Sequence, residues 1–241
     1  MPAQREIRIL NTPPELFQAA ADEFAALAVK SNCRFTVALS GGSTPKSLYT
    51  LLAGGSGPNI RWENIFFFFG DERCVPPNHP DSNYRMARQA GLFSKVPNDH
   101  VFRVPAEERD ADTAARAYEQ TLQKAFGLQP GKFPRFDLVL LGLGPDGHTA
   151  SLFPATAALD EKDRLVVANW VDKFQAYRIT LTLPVLNHAA CVMFLVSGAD
   201  KSNIVHEVLE NENAKLPSQK VRPENGRLLW LLDRAAASGL S

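Results

Sequence analysis

Gly142-Leu143-Gly144-Pro145-Asp146-Gly147-His148-Thr149 sets an imidazole two residues from a carboxylate, in a backbone bent by three glycines and a proline. Histidine is the side chain best matched to proton transfer near neutral pH, and a carboxylate can fix its tautomer and raise its basicity. The pair suits a general base, His148, oriented by Asp146 and acting on water. The alternative is a histidine that caps a helix or satisfies a buried carbonyl. His79, His100, His188 and His206 fall in loops or on helix faces and read as structural or solvated.

Three other turns carry groups that suit an anion. In Ser40-Gly41-Gly42-Ser43-Thr44-Pro45, Gly41 and Gly42 let the backbone approach a phosphate, Ser43 and Thr44 add hydroxyls, and a following helix would present free N–H groups. An ordinarily capped strand-to-helix turn is the bland reading. This turn is neither a Walker A loop nor the dinucleotide GxGxxG. In Gly70-Asp71-Glu72-Arg73, the Arg73 guanidinium can take a phosphate or carboxylate bidentately, and Asp71 can hold a sugar hydroxyl or handle a proton. An Asp/Glu–Arg ion pair tying down the next loop is the alternative. Cys74 follows with no base nearby and reads as packing. Ser197-Gly198-Ala199-Asp200-Lys201 brings up Lys201, and Arg178 opens a later apolar stretch. Each cation alone fits a surface charge; with Arg73 they would form a cradle for a phosphate.

What would bring these turns together is a sheet. Apolar runs at 35–39, 65–69, 136–141 and 191–196 predict buried strands, each ending in one of the four turns. Further strands are expected at 165–170, 177–183 and 228–232. Helices are expected at 14–29, 82–90, 111–126 and 199–209, from Thr44 (capping) and Pro45 to Ala53, near Thr149, and at the C-terminus. Residues 53–59 read as a Gly/Pro/Ser loop. Continuous apolar strands alternating with helices mean a mainly parallel sheet covered on both faces, in one α/β domain spanning residues 1–241. Ligands of such sheets bind beyond the carboxyl ends of the strands, where the four turns lie.

Composition narrows the partners. The 241 residues are 45% apolar, with 26 basic and 26 acidic side chains. That balance argues against nucleic acid or an anionic membrane as partner, since both favour a basic excess. Three well-separated cysteines without a CxxC read as reduced thiols of a cytoplasmic protein, residues 1–10 lack the apolar run of a signal peptide, and no stretch is apolar enough to span a bilayer. No HxxxH or HExxH pattern suggests a metal.

Taken together, the stretches ALSGGSTP (38–45), FFGDERCVP (68–76), SNY (82–84), LGLGPDGHTASLFP (141–154), RITLTLPVLN (178–187), SGADK (197–201) and RPENGRLLWLLDRAAA (222–237) resemble the 6-phosphogluconolactonases of the glucosamine-6-phosphate isomerase/lactonase superfamily. The resemblance covers nearly the whole chain in the family's order, and the GPDGHTASLFP part is the most specific. It implies a Rossmann-like fold of the NagB/RpiA type and hydrolysis of 6-phospho-D-glucono-1,5-lactone in the oxidative pentose phosphate pathway. It also implies no metal and no organic cofactor.

By family position His148 is the base, Asp146 orients it, and Asp71 contacts the sugar or shares proton handling. Gly41, Gly42, Ser43, Thr44, Arg73, Arg178 and Lys201 contact phosphate and substrate. The expected partner is the small phosphorylated sugar lactone, and the expected state a monomer or weak homo-oligomer. The related amino-sugar-phosphate isomerase/deaminases tend to carry a tyrosine where Arg73 stands, and a further acidic residue after the histidine. Both differences favour a lactonase. A non-catalytic sugar-phosphate sensor would keep the cradle without needing His148 or Asp146.

Overall fold

The computed structural model describes residues 5–31, 33–55 and 60–241; positions 56–59 of the expected loop and 1–4 of the leader reading lie outside these. Six strands, β1 (Arg5–Leu10), β2 (Phe35–Leu39), β3 (Ile65–Phe69), β5 (Leu138–Leu141), β8 (Cys191–Val196) and β9 (Arg227–Asp233), pair in parallel in the order β1-β9-β8-β5-β2-β3. Every residue of β2, β5 and β8 is buried, as expected for apolar runs covered on both sides. The flanking helices are α1 (Pro13–Lys30), α2 (Ser43–Ala53), α3 (Asn83–Gln89), α4 (Ala111–Phe126), α5 (Leu183–Asn187) and α6 (Ser202–Leu209). Local chemistry marks their ends: Asp110 accepts from the Thr113 amide at 2.8 Å to cap α4, and Gly127, left-handed at φ 60°, closes it.

The topology places the ligand crevice. From β2 the chain moves outward to β3, then returns to lay β5 on the opposite side of β2. The crevice of such a sheet opens where the strand order reverses, beyond the carboxyl ends of β2 and β5. Those ends lead into the 40–45 and 142–149 turns. Two buried tyrosines hold the rim. The Tyr49 hydroxyl donates to Ser40 O (2.8 Å) and accepts from its amide (2.9 Å), and Tyr118 does the same for Phe69 (3.1 and 2.7 Å).

The fold departs from the sequence expectation in five places. The edge strand β1 was not expected; its Arg-Glu-Ile-Arg-Ile-Leu sequence is largely exposed and has no continuous apolar run. The segments expected as further strands of the main sheet, β6 (Val166–Val171) and β7 (Ala176–Leu181), pair instead with β4 (Asp71–Arg73) in a separate antiparallel sheet, β4-β7-β6. Gly70 is the crossing point, its amide bound to Leu39 O and its carbonyl to the Leu181 amide, both at 2.8 Å. No helix starts at Thr149, because its hydroxyl bonds back to Gly142 O (2.9 Å) and Ala150 is left-handed at φ 48°. Residues 234–239 form turns rather than a C-terminal helix. Finally, α2 begins at Ser43, with Gly42 and not Thr44 at its cap.

Candidate active site

A cleft of about 290 Å³ opens at the reversal point, at the small end of the ~300–1,000 Å³ range of small-molecule sites. Its lining includes Gly41, Gly42, Ser43, Thr44, Asp71, Arg73, His148 and Lys201, so eight of the ten residues singled out from the sequence meet there. Asp146 and Arg178 stand behind that lining, the first against His148 and the second beside Arg73.

His148 is held from three sides. Its Nδ1 pairs with Asp146 Oδ1, its ring stacks on Phe153 at 4.0 Å, and its backbone carbonyl accepts from the Gly144 amide at 2.8 Å. A carboxylate at Nδ1 selects the tautomer with the proton there and leaves Nε2 as the basic nitrogen. Among the described residues, no protein group hydrogen-bonds Nε2. Burial pushes the Asp146 carboxyl up, but the hydrogen bond and charge of His148 outweigh it and hold the group below its ordinary value. Asp146 is therefore an anion wherever His148 is a useful base. Lys173 Nζ lies 3.8 Å from its other oxygen.

Gly144 earns its place sterically. A Cβ there would lie 2.0 Å from His148 Cε1 and Nδ1, so any side chain displaces the ring. Misplacing a catalytic group by ~1 Å can cost 10²-fold. Gly144→Ala is expected to lower kcat about 100-fold while leaving the melting temperature nearly unchanged. An unaltered kcat would show that the ring position is not critical.

The anion side is built from backbone. The helix α2 has no side-chain cap, and among the described residues the Ser43 and Thr44 amides bond no protein acceptor. The bland reading of this turn, ordinary capping, therefore does not describe it. Gly41 is needed for a different reason from the one its sequence suggested: a Cβ there would sit 2.1 Å from Asn83 Oδ1.

Asp71 and Glu72 divide the work of their turn. Asp71 is buried, accepting from Ser151 Oγ at 2.7 Å and from Asn83 Nδ2 at 3.3 Å. Glu72 faces the other way. Its oxygens accept from the amides of Arg73, Asn83 and Tyr84 (2.9, 2.8 and 2.9 Å) and from Ser82 Oγ (3.1 Å). The loop is thus tied down through N–H groups, and not by an ion pair to Arg73. Burial pushes the Glu72 carboxyl up and these amides pull it back, leaving it above its ordinary value.

Glu72→Gln turns an amide NH₂ toward buried donors. With charged hydrogen bonds at ~1.5–3 kcal/mol each, the expected loss is about 2–4 kcal/mol. At ~2–4 °C per kcal/mol for this size, the melting temperature should fall by about 4–16 °C in calorimetry. An unshifted transition would contradict the anchoring role.

Arg73 and Arg178 sit directly opposite each other in the β4–β7 ladder, an arrangement of like charges that destabilises a sheet pair. Neither forms an ion pair among the described residues: Arg73 donates to Asp81 O at 2.5 Å, and Arg178 lies 5.1 Å over the Phe174 ring. Burial, and then the charge of Arg73, push Arg178 below its ordinary value. Lys201 is presented by a turn that the buried Asp233 fixes through the Gly198 amide (3.0 Å) and Ser197 Oγ. Cys74 is held as a thiol by its burial, which raises it. The sequence reading gave no role to Asn83, Ser151, Phe153 or Asp233; all four lie in the stretches that carry the resemblance, but only the fold shows what they touch.

The description "Glucosamine-6-phosphate isomerases/6-phosphogluconolactonase" fits residues 11–230. This chain belongs to that family. Among curated relatives, the 6-phosphogluconolactonase of Nostoc sp. is 46% identical over 217 residues, covering 89% of this chain and 88% of its own. That of Synechocystis sp. is 45% identical, covering 85% and 84%. A solved structure, 6-phosphogluconolactonase from Trypanosoma cruzi, superposes with a TM-score of 0.89 at 32% identity, covering 100% of this chain and 98% of that one. Among the described residues, no helix is long and apolar enough to cross a membrane.

Proposed function

We propose that this protein is a 6-phosphogluconolactonase, hydrolysing 6-phospho-D-glucono-1,5-lactone to 6-phosphogluconate, with His148 as the base that activates water. The observation that carries the reading is the shared cleft: a tautomer-fixed imidazole with Nε2 open, and an uncapped helix end flanked by Lys201 and by Arg73, the latter without a carboxylate partner among the described residues. The lactonase names of the relatives support the same substrate.

In this mechanism Nε2 takes a proton from water as the oxygen adds to the lactone carbonyl. The negative charge moves to the carbonyl oxygen, where backbone N–H donors stabilise it. The Gly144 amide is committed to His148 O and is not one of them. Collapse of the tetrahedral adduct breaks the bond to the ring oxygen, which receives the proton from the imidazolium. The Ser43 and Thr44 amides, Arg73 and Lys201 hold the phosphate, with Arg178 reinforcing Arg73, and Asp71 positions a sugar hydroxyl. Binding energy from this remote group orients the carbonyl. Lactone carbonyls are reactive enough that the scheme uses no metal or organic cofactor. The reading is of a cytoplasmic enzyme in one domain, residues 1–241, monomeric or weakly self-associating; the neutral charge balance argues against a nucleic-acid partner.

The test is a coupled assay on freshly generated lactone, corrected for spontaneous opening, with glucosamine 6-phosphate run in parallel. Rapid hydrolysis without ammonia release is the expected result. Ammonia release without hydrolysis would make the chain a deaminase.

A further inference from the structure

Asn83 reaches the catalytic cleft from outside the four turns. It is the first residue of α3; its amide donates to Glu72 Oε1 at 2.8 Å, and Ser82 caps the helix beside it by accepting from the Arg85 amide at 3.2 Å. The residue is only 2% exposed, yet it is part of the cleft lining. Its Nδ2 is committed, donating to Asp71 O at 2.9 Å and to Asp71 Oδ1 at 3.3 Å. Those partners fix the amide, because a flipped group would turn its oxygen against a carbonyl and a carboxylate. Oδ1 therefore points away from Asp71, toward Gly41, where a Cβ would fall 2.1 Å from it. Among the described residues Oδ1 accepts no hydrogen bond. Nor is it one of the partnerless side-chain atoms closed off from solvent, so the surface it keeps opens on the cleft that Asn83 lines.

Buried polar groups in native folds are nearly always paired, so an acceptor fixed in this way calls for a donor from the ligand. A phosphate dianion has no proton to give, and neither has a lactone carbonyl. A hydroxyl has one. The rest of the cleft is rich in donors (the Ser43 and Thr44 amides, Arg73 and Lys201), which leaves Asn83 Oδ1 and the Asp71 carboxylate as its acceptor side. We propose that Asn83 is a specificity-determining residue of this cleft: Oδ1 accepts a hydrogen bond from a ring hydroxyl of the phosphorylated sugar. The inference rests on the sugar-phosphate reading of the cleft, though not on hydrolysis. Its consequence is directional. Since the amide can only accept there, replacing the hydroxyl by hydrogen or by fluorine should cost the same, because fluorine keeps the volume but gives no proton.

The probes are 1,5-anhydroglucitol 6-phosphate, a ring without the reactive carbonyl, and its deoxy and deoxyfluoro forms at C2, C3 and C4, with dissociation constants from calorimetry. On the wild type, at one of these positions the deoxy and deoxyfluoro rings should both bind about 5–100-fold more weakly than the parent. In Asn83→Ala the parent should weaken by a similar factor and the two altered rings should lose almost nothing further, a non-additivity that marks a shared contact. The rise in melting temperature given by inorganic phosphate should be the same in variant and wild type. Asn83→Ser, which withdraws the acceptor, takes the same comparison if the alanine chain does not fold. Fluorine tolerated where hydrogen is not would mean that the protein donates to that hydroxyl. A penalty that survives in Asn83→Ala would give the hydroxyl to Asp71, and equal losses on every ring would leave Asn83 a structural role. Failure of the parent ring to bind would remove the sugar. Each of these overturns the proposal. A protein that shows the expected pattern but leaves the lactone unhydrolysed would instead sink the lactonase reading and keep Asn83 in place.

Discussion

His148→Ala is expected to lower kcat on 6-phosphogluconolactone by about 10²–10⁴-fold, the usual contribution of a positioned general base. The KM should change far less, because the imidazole acts on water and not on the phosphate that anchors the substrate. The pH profile offers a sharper readout. In the wild type, activity should fall on the acid side as imidazolium replaces imidazole at Nε2, since the protonated ring has no lone pair to offer. Asp146 is held below the ordinary carboxylate value, so it remains ionised through that interval and adds no second limb. The alanine variant should lose the acid limb and track hydroxide. His148→Gln fills the volume against Phe153 without a titrating nitrogen, so it should resemble the alanine variant in rate and profile. A variant keeping most of the activity, or an unchanged acid limb, would move the proton transfer elsewhere, with Asp71 the first group to examine.

How legible this site was in the chain depends on which force places each group. Residues at the ends of the buried strands were legible, because an apolar run followed by a glycine turn specifies both the strand and the edge it delivers to. The runs at 35–39, 65–69 and 191–196 are strands with the expected bounds, and the groups after them line the cleft. Pairing across the molecule was not legible. Nothing local tells that residues 71–73 leave the main sheet at Gly70 to join β7, yet that switch sets Arg73 opposite Arg178 and turns Asp71 toward Ser151.

Steric reasons were equally hidden. Gly41 and Gly144 read as backbone flexibility in the sequence; in the fold each makes room for one side chain, Asn83 and His148. The helix expected near Thr149 failed for a local reason that propensity does not register: the left-handed Ala150 and the Thr149 hydroxyl bond to Gly142 divert the chain. The Asp/Glu–Arg ion pair weighed for residues 71–73 is replaced by Glu72 collecting amides, a role that any carboxylate at a helix start can play and that composition cannot assign.

Removing the phosphate from the substrate should reduce kcat/KM by about 10²–10⁴-fold, comparable to removing the base. Charge-assisted hydrogen bonds contribute ~1.5–3 kcal/mol each, and losing two of them amounts to about 3–6 kcal/mol of transition-state stabilisation. Measuring glucono-1,5-lactone against its 6-phosphate gives this figure directly. The decisive comparison crosses it with Arg73→Ala. If Arg73 grips the phosphate, the substitution should cost about 10–100-fold on the phosphorylated lactone and almost nothing on the unphosphorylated one, an interaction energy that only a shared contact produces.

The same substitution should also relieve the repulsion with Arg178 across the β4–β7 ladder. The apo variant is therefore expected to be no less stable than the wild type, while the rise in melting temperature that inorganic phosphate gives the wild type shrinks. Equal losses on both lactones would place Arg73 at the carbonyl instead, and would leave the uncapped start of α2 with Lys201 as the only anion site in the cleft.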